Sequence, residues 1–302
     1  MKTLNLIGAG KLGQTLARLW QQQGLFRIQQ VLTLSPESAQ KACNFINGSH
    51  NADLAQAATS FEALIPADVW LLATPDGIIE DSAARLHGQP ELLKPESIVF
   101  HCSGTLGSNI LIGGQSSASS VASIHPIHSF ASPAKSLDAF SGSYCGYEGG
   151  DMALQTLLPA FSAIGAELFE IDGRQKTLYH AASVMACNYL VGLMDASLAC
   201  FEAAGVSRSQ AQQLLLPITH QTLDNALKKS PEEALTGPIS RGDLSTVQSH
   251  LDKLQPLSNQ LSDIYRSLGQ QTVQVAEQQE QPASSESLDA IRSLLANRQN
   301  PL

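Results

Sequence analysis

The stretch KTLNLIGAGKLG at Lys2–Gly13 decides the fold of the amino-terminal half, because an apolar strand runs directly into a glycine-rich turn. Gln14–Gln23 continues as an amphipathic helix that ends at Gly24, and the apolar stretch Ile28–Leu34 completes a strand–helix–strand unit. Glycines at this spacing, between a strand and a helix, are typical of a dinucleotide-binding loop. The residues predicted to hold the cofactor in this loop are Gly8, Ala9, Gly10, Lys11, Leu12 and Gly13.

The three glycines have separate roles in such a unit. Gly8 permits the tight turn, Gly10 lets the backbone approach a pyrophosphate, and Gly13 lets the helix pack closely on the strand. The amino terminus of the helix then offers unpaired N–H groups and the positive end of its dipole to the phosphates. Nucleotide binding is therefore preferred over an ordinary strand–turn–helix with spare glycines.

The end of the second strand bears on which dinucleotide binds. Ser35 stands where NAD-binding units usually carry an Asp or Glu that accepts from the ribose hydroxyls. A serine leaves room for a 2′-phosphate, to which Ser35, Ser38 and Lys41 could donate, although Glu37 is close enough to repel it. We predict NADP as the cofactor, with NAD as the alternative.

Composition narrows the class of partner and compartment. The formal net charge of −9 disfavours nucleic acid or an anionic membrane surface as a partner. The five cysteines are scattered and form no C-x-x-C pair, as expected in a reducing compartment rather than in a disulfide or zinc framework. The glycine loop begins before any signal-peptide core could form, so we expect a cytoplasmic protein.

Strands and helices continue to alternate up to Ile171, which predicts a doubly wound parallel sheet of the Rossmann type. The further predicted strands are Ala55–Thr59, Asp68–Thr74, Ser97–Cys102, Val121–His125, Tyr144–Glu148 and Ala166–Ile171. Ligands of such sheets bind at the carboxyl ends of the strands. Thr74, Ser103 and His125 should therefore face one crevice, with Thr74 and Pro75 on the nicotinamide side.

The chain after Asp172 reads as all-helical. Gly173–Ala204 is predicted to be one long helix that is apolar nearly all round. Its most apolar part approaches membrane-spanning length, but it carries polar residues and lacks basic flanks, so a buried helix and no membrane contact are predicted. Such a helix needs cover beyond its own neighbours, which suggests helical domains intertwined in a homodimer.

These patterns divide the chain into three segments. Residues 1–172 form the predicted Rossmann domain, and residues 173–275 form a helical domain for substrate binding and dimerisation. From Glu277 the composition turns to Gln, Glu and Ser, so residues 276–302 are predicted to be a flexible tail. Ser287–Asn297 could form a short isolated helix within it.

Four motifs carry a resemblance to a known family. They are HCSGT at 101–105, HPIHSF at 125–130, YHAASVMACN at 179–188 and LTGPISRGD at 235–243. In this order they resemble an uncharacterised bacterial family that pairs a Rossmann-like domain with a C-terminal domain of unknown function. The architecture of about the first 270 residues also resembles the superfamily of 6-phosphogluconate, β-hydroxyacid and prephenate dehydrogenases and pyrroline-5-carboxylate reductase. The resemblance implies an NADP oxidoreductase and names no substrate.

The wider superfamily implies roles for particular positions. Its serine motif that holds substrate falls at Ser103, Gly104 and Thr105, and the His-Pro pair of prephenate dehydrogenases falls at His125. Its long helix normally brings a Lys or His and an Asn beside the nicotinamide, and the candidates here are Lys176, His180 and Asn188.

His180 is the preferred proton-transfer residue, because a histidine ordinarily titrates near neutral pH. The resemblance also places His180 nearest the usual position of the lysine. Asn188 would orient the substrate, since an amide both donates and accepts. A core role for His180 and an interhelical hydrogen bond for Asn188 remain the alternatives. His125 could reach nicotinamide or substrate, with Lys176 as a further candidate.

A loop before Leu244 and three histidines offer two further candidate sites. Asp243 is well placed to cap the helix that begins at Leu244, and Arg241 could clamp a carboxylate or phosphate bidentately. His101, His125 and His128 have no acidic partner nearby, so no metal site is predicted.

The sequence therefore indicates an NADP-dependent oxidoreductase that acts on a small, anionic metabolite. A non-catalytic module that binds or senses the nucleotide is the alternative.

Overall fold

The computed structural model describes residues 1–48, 55–112 and 120–297. The chain divides into two compact units, residues 1–187 and residues 188–302. The predicted domain boundary, between residues 172 and 173, falls earlier than this division. The difference arises because the first turns of the helix that begins at Lys176 pack on the sheet of the first unit.

The first unit is built on one eight-stranded sheet, which confirms the predicted fold class. Its order is β3-β2-β1-β4-β5-β6-β7-β8, with the strand order changing direction at β1. The strands are β1 (Lys2–Ile7), β2 (Phe26–Leu32), β3 (Gln56–Ala58), β4 (Ala67–Leu72), β5 (Leu93–His101), β6 (Ser120–Pro126), β7 (Tyr144–Gly149) and β8 (Glu167–Glu170).

Helices cover both faces of this sheet, so the central strands are apolar on both sides. The helices are α1 (Lys11–Gln22), α2 (Pro36–Asn47), α3 (Asp76–His87), α4 (Pro133–Ala139) and α5 (Asp151–Ala163). On one face Trp20 of α1 packs edge-on against Phe26, Phe100 and Phe161, and its indole N–H donates to the carbonyl of Ala160 at 3.1 Å. On the other face Trp70 and Leu72 of β4 pack with Ile79 and Leu86 of α3.

One step in the sheet is antiparallel and was not predicted. β7 runs against β6, with His125 paired to Gly146 and Ser123 paired to Glu148, and β8 runs parallel to β7. The chain therefore leaves β8 at the level of Ser123, beneath the carboxyl ends of β1 to β6. The next helix starts level with Ser123 and runs toward the carboxyl ends of these strands.

That helix is α6 (Lys176–Ala203), and most of the remaining chain is helical too. The others are α7 (Arg208–Lys228), α8 (Pro231–Ala234), α9 (Leu244–Leu257), α10 (Asn259–Ala276) and α11 (Ser285–Ala296). Asp243 caps α9, as predicted, and Ser207 caps α7. α7 continues as one helix through Pro217.

The carboxyl-terminal segment differs from the predicted flexible tail. Ser284 caps α11, which buries Leu288, Ile291 and Leu295 against Val273 of α10. Apolar residues at helical spacing outweigh the polar composition of the segment. The expectation of a flexible tail is therefore corrected for residues 285–296, and its last part, residues 298–302, lies outside the described residues.

Most of α6 is exposed in the single chain, where a buried helix was predicted. Gly173–Ala203 is long and apolar enough to cross a membrane, with a mean hydropathy of 1.5, yet only 6% of that window is buried. One such helix is weak evidence for a membrane, since the core helix of a soluble protein passes the same test. Leu178, Met185, Tyr189 and Val191 are all more than 60% exposed.

Candidate functional site

The glycine loop turns at the carboxyl end of β1. Gly8 has a φ of +82°, and a Cβ there would lie 2.6 Å from the backbone nitrogen of Thr74. A Cβ on Gly13 would lie 3.0 Å from Cβ of Ala73, so α1 passes close to the strand. Both positions accept only glycine without rearrangement, because backbone or close-packed atoms occupy the space. The tight turn and the close helix packing expected from the sequence are both present.

Gly10 lies before open space instead. It is the N-cap of α1, and within the described chain no side chain caps this helix and no atom lies within 4 Å of a Cβ built at Gly10. Lys11 is exposed beside it. The first N–H groups of α1 are thus available to a phosphate, whose negative charge the helix dipole favours.

Thr74 supplies a second sign that the crevice holds a ligand. Its hydroxyl is buried and has no hydrogen-bond partner among the residues that the structure describes. A buried hydroxyl without a partner costs free energy unless a ligand or water completes it. Together with the open helix terminus at Gly10, this orphaned group shows that the residues fit a dinucleotide placed across the ends of β1 and β4.

The expected adenosine end of the site has a structural role as well. Ser35 is the N-cap of α2: its Oγ accepts from the Ser38 N–H at 3.2 Å and lies 3.0 Å from the Ser38 Oγ. The serine followed by Pro36 is a helix-start signal that the sequence reading overlooked. Lys41 is exposed one turn along α2.

A buried polar network lies beneath the next strand ends. The Lys176 ammonium is fully buried and donates to the Ser123 hydroxyl, which lies 3.3 Å from Nδ1 of His101. Nδ1 also accepts from the Ser103 N–H at 3.1 Å, and Nε2 lies 3.2 Å from the carbonyl of Gly107. These contacts give His101 a proton on Nε2. The ring thereby fixes both ends of the loop that follows β5.

The electrostatics of this network favour neutral imidazoles. Burial, with Lys176 adding its positive charge, lowers the pKa of His101 to about 4. Burial likewise lowers the pKa of His125 to about 4, again with a contribution from Lys176. Burial also lowers the pKa of the Lys176 ammonium, although the carboxylate of Glu148 opposes that shift.

Two histidines meet at the carboxyl ends of β5 and β6. The rings of His125 and His180 are 5.7 Å apart between centroids and inclined at 74°. A Cβ on Gly104 would lie 2.3 Å from Cδ2 of His180 and 2.8 Å from Nε2 of His125. Both rings therefore lie directly against Gly104, where a side chain would clash with them. Tyr179 contacts His125 from the opposite side, with its hydroxyl 3.0 Å from Nδ1.

The predicted substrate motif at Ser103 is partly used by the protein itself. The Ser103 Oγ is buried and accepts from the N–H groups of Thr105 and Leu106, at 3.2 and 3.0 Å. Its oxygen therefore stabilises the turn, and among the described residues its hydrogen has no acceptor. Thr105 is half-buried at the edge of the same turn.

Three further candidates from the sequence have the following surroundings. Asn188 and Arg241 are exposed residues of the second unit. His128 accepts or donates at the Ser143 hydroxyl, 3.0 Å away, and packs on Phe130, so its role is structural. Within the described residues, no group of three or more metal-ligating side chains is gathered.

Sequence reasoning missed three residues of the site. Ser123 could have been found, because alternation along a strand puts it on the same face as His125. Tyr179 and Glu148 had no comparable signal, since their partners are far away in sequence. Glu148 accepts from the N–H and the hydroxyl of Ser108, both at 2.7 Å, and so holds the segment after Gly107.

Solved structures of two proteins resemble almost the whole chain. TM1727 from Thermotoga maritima is 25% identical, with a TM-score of 0.68 over 91% of this chain and 98% of the other. The candidate NADP oxidoreductase BF3122 from Bacteroides fragilis is 22% identical, with a TM-score of 0.69 over 88% and 97%. The fold is also shared with a Plasmodium falciparum pyrroline carboxylate reductase solved with NADP bound, at 13% identity and a TM-score of 0.56 over 98% of each chain.

Family comparison agrees with the geometry. None of the curated proteins matches this sequence. Residues 3–100 match the family described as NADP oxidoreductase, coenzyme F420-dependent. Residues 143–272 match a domain of unknown function, DUF2520. The amino-terminal part of the chain thus matches the model of NADP oxidoreductases and the carboxyl-terminal part matches DUF2520, so the chain is an oxidoreductase with NADP as its cofactor.

Proposed function

We propose that this oxidoreductase transfers a hydride to or from the carbon of a C=O or C=N group in a small, anionic metabolite. The observation that carries the proposal is the meeting of His125 and His180 over Gly104, at strand ends next to the one that bears Thr74. Reduction of such a bond needs a proton at the heteroatom, and histidine is the side chain best suited to supply it near neutral pH.

The proposed roles follow the geometry of the first unit. Gly8–Gly13 and the amino terminus of α1 hold the pyrophosphate, while Thr74 and Pro75 line the nicotinamide side. NADP, when bound, supplies or accepts the hydride. His180 gives a proton to the substrate oxygen or nitrogen in the reductive direction and takes it back in the oxidative direction. The Ser103 hydroxyl, held in place by its turn, donates a hydrogen bond to the substrate.

Two residues of the second unit keep the roles proposed from the sequence. We propose that Arg241, exposed on the loop before α9, binds an anionic group of the substrate, and that Asn188 orients it. Arg241→Lys keeps the charge and removes the bidentate geometry, so it should raise the KM for an anionic substrate more than it lowers kcat. An unchanged KM would remove Arg241 from the site.

A hydride-transfer assay tests the proposed reaction. NADPH oxidation is followed with a panel of 2-oxo acids and cyclic imino acids, each with and without the protein. For any substrate turned over, His180→Ala should lower kcat by roughly a hundredfold or more and leave NADPH affinity nearly unchanged. His87→Ala is the matched control, because that ring lies at the carboxyl end of α3, 2.7 Å from the carbonyl of Leu111, and has no role in the proposed reaction.

The outcomes separate the alternatives. An equal loss in both variants, or none in His180→Ala, would remove His180 from proton transfer. NADPH binding without turnover of any compound in the panel would favour a protein that senses the nucleotide.

We also propose that the chain is a cytoplasmic homodimer. Support comes from the exposed apolar residues of α6 and from those of α7, which are Leu214, Leu216, Ile218 and Leu227, each more than half exposed. A monomer seldom exposes an apolar surface of this extent. A second copy presents the same surface, so an isologous dimer buries both. The five free cysteines fit a reducing compartment.

Sedimentation at micromolar concentration tests the dimer. A species near twice the chain mass of 32.1 kDa is expected. Leu227→Glu and Val191→Glu together should shift it to monomer, whereas Leu34→Glu, an exposed leucine remote from these helices in sequence, should not. A folded wild-type monomer would contradict the proposal, and flotation with lipid vesicles would indicate a membrane surface instead.

A further inference from the structure

We infer that Tyr179 is a positioning residue that fixes His125 as a neutral hydrogen-bond donor, with Nε2–H directed to the substrate heteroatom. The inference deepens the proposed function and rests on it. It divides the work of the two histidines, since His180 transfers the proton while His125 polarises the C=O or C=N bond. His125 then needs no change of protonation during the reaction.

The geometry separates the two nitrogens of the His125 ring. Nδ1 lies 3.0 Å from the Tyr179 hydroxyl, and the two rings are perpendicular with centroids 5.5 Å apart. Nε2 lies on the Gly104 side, where a Cβ would come within 2.8 Å of it. One nitrogen is therefore engaged by the protein, and the other is presented where Gly104 leaves room.

The protonation states follow from the surroundings. Burial raises the pKa of Tyr179 to about 12, so the phenol keeps its hydrogen and can donate it to Nδ1. Burial, together with Lys176 and His180, lowers the pKa of His125 to about 4, so the ring is neutral near pH 7. A neutral ring that accepts at Nδ1 carries its single proton on Nε2.

Two further contacts place the Tyr179 hydroxyl. Its ring packs against Phe169 of β8, with centroids 6.1 Å apart. Gly146 of β7, which pairs directly with His125, would put a Cβ only 3.2 Å from the hydroxyl. A glycine inside a strand usually marks a close approach, and here the approach is that of Tyr179 to His125.

A neutral imidazole that donates one hydrogen bond can stabilise charge developing on an oxygen or nitrogen. Such a donor is preorganised, because the Tyr179 contact fixes both its tautomer and its orientation. An imidazolium would compete with His180 for the role of acid. The buried charge of Lys176 next to His125 disfavours that cation.

The tautomer is tested directly by ¹⁵N NMR of histidine-labelled protein near pH 7, with His125→Gln used to assign the signal. The wild-type protein should show His125 protonated on Nε2. Tyr179→Phe should shift part of the population to the Nδ1–H form, because the donor to Nδ1 is lost. Tyr144→Phe, at an exposed tyrosine of β7, is the matched control and should leave the signal unchanged.

Kinetics supplies the second readout. With a substrate turned over by the wild type, Tyr179→Phe should lower kcat by about tenfold and leave NADPH affinity unchanged. His125→Gln keeps a neutral donor near Nε2 and should retain far more activity than His125→Leu. An acid at this position could not be replaced by glutamine.

Several results would overturn the inference. They are an Nδ1–H tautomer in the wild type, an unchanged tautomer in Tyr179→Phe, full activity of that variant, or equal inactivity of His125→Gln and His125→Leu. Failure of the proposed function itself is distinguishable, since it would show as no hydride transfer by the wild-type protein whatever the tautomer of His125.

Discussion

The glycine loop and the histidine cluster lie at neighbouring strand ends but are made in different ways. The loop is contiguous in sequence, and its function depends on backbone: the φ of Gly8, the open space at Gly10 and the free N–H groups of α1. The cluster is assembled from side chains of β5, β6 and α6, with Lys176 reaching Ser123 across the fold. The comparison shows that a backbone site can be read from a motif, whereas a side-chain site depends on tertiary packing.

Substitution at Gly10 should abolish cofactor binding by the glycine loop and leave the histidine cluster intact. A valine there meets no described atom, so the fold should tolerate it, but its side chain would fill the space open to the pyrophosphate. NADPH affinity should fall by about a thousandfold, or ~4 kcal/mol. Calorimetric titration measures the affinity, and thermal unfolding without cofactor checks the fold.

Two controls sharpen this result. Gly88→Ala, at the carboxyl end of α3 in helical conformation, should change neither property. Gly8→Ala should destabilise the fold itself, because its Cβ would meet the backbone of Thr74. If Gly10→Val binds NADPH normally, the loop does not hold the pyrophosphate.

Acid should lower the free energy of unfolding through the buried His101 of the histidine cluster. The pKa of buried His101 is about 4 in the folded protein, below its ordinary value of 6.5, so unfolding takes up a proton between these pH values. The stability that His101 contributes is complete above pH 6.5 and is lost as the pH falls toward 4, by roughly 3 kcal/mol in all. Urea unfolding at a series of pH values measures this slope.

Removing the titrating ring should flatten the slope whatever it does to stability. His101→Gln should reduce the dependence by about one proton, or ~1.4 kcal/mol per pH unit. His220→Gln, at an exposed histidine of α7, is the control and should keep the wild-type slope. Equal slopes in all three proteins would mean that His101 is not held neutral.

The smallest predicted effect concerns cofactor choice at Ser35. The wild-type protein should bind NADPH more tightly than NADH, by roughly tenfold or ~1.4 kcal/mol. Ser35→Asp should reverse this preference, because aspartate repels the 2′-phosphate and accepts from the ribose hydroxyls of NADH. Aspartate also caps helices well, so α2 should remain formed. Equal wild-type affinity for the two cofactors would contradict the assignment.

The elements of the first unit were largely predictable, because each strand is an apolar run and each turn has its own chemistry. The antiparallel entry of β7 was not predictable, since strand direction leaves no mark in a run such as Tyr144–Gly149. The packing of α11 was missed for another reason: its buried Leu288, Ile291 and Leu295 are few among polar neighbours.

The parts of the site that are contiguous in sequence were predictable, and the parts that depend on tertiary packing were not. Gly8, Gly13 and Thr74 were found from a motif and from strand ends. The sequence placed His125 and His180 near the crevice, but not their contact over Gly104 or the hydroxyl of Tyr179 on Nδ1. These contacts depend on where α6 crosses the sheet, and no local pattern encodes that. The burial of Lys176 next to the histidine cluster also depends on the path of α6 and was likewise not predictable.

The antiparallel step at β7 also orders events during synthesis. The glycine loop has all its parts once the nascent chain includes β4 and Thr74, since Gly8 bonds to Leu32 and packs on Thr74. The histidine cluster must wait until the chain has reversed through β7, passed β8 and entered α6. At ribosomal rates those about a hundred further residues take roughly 5 to 20 seconds. A growing chain can thus form its glycine loop well before the residues proposed to transfer the proton are assembled.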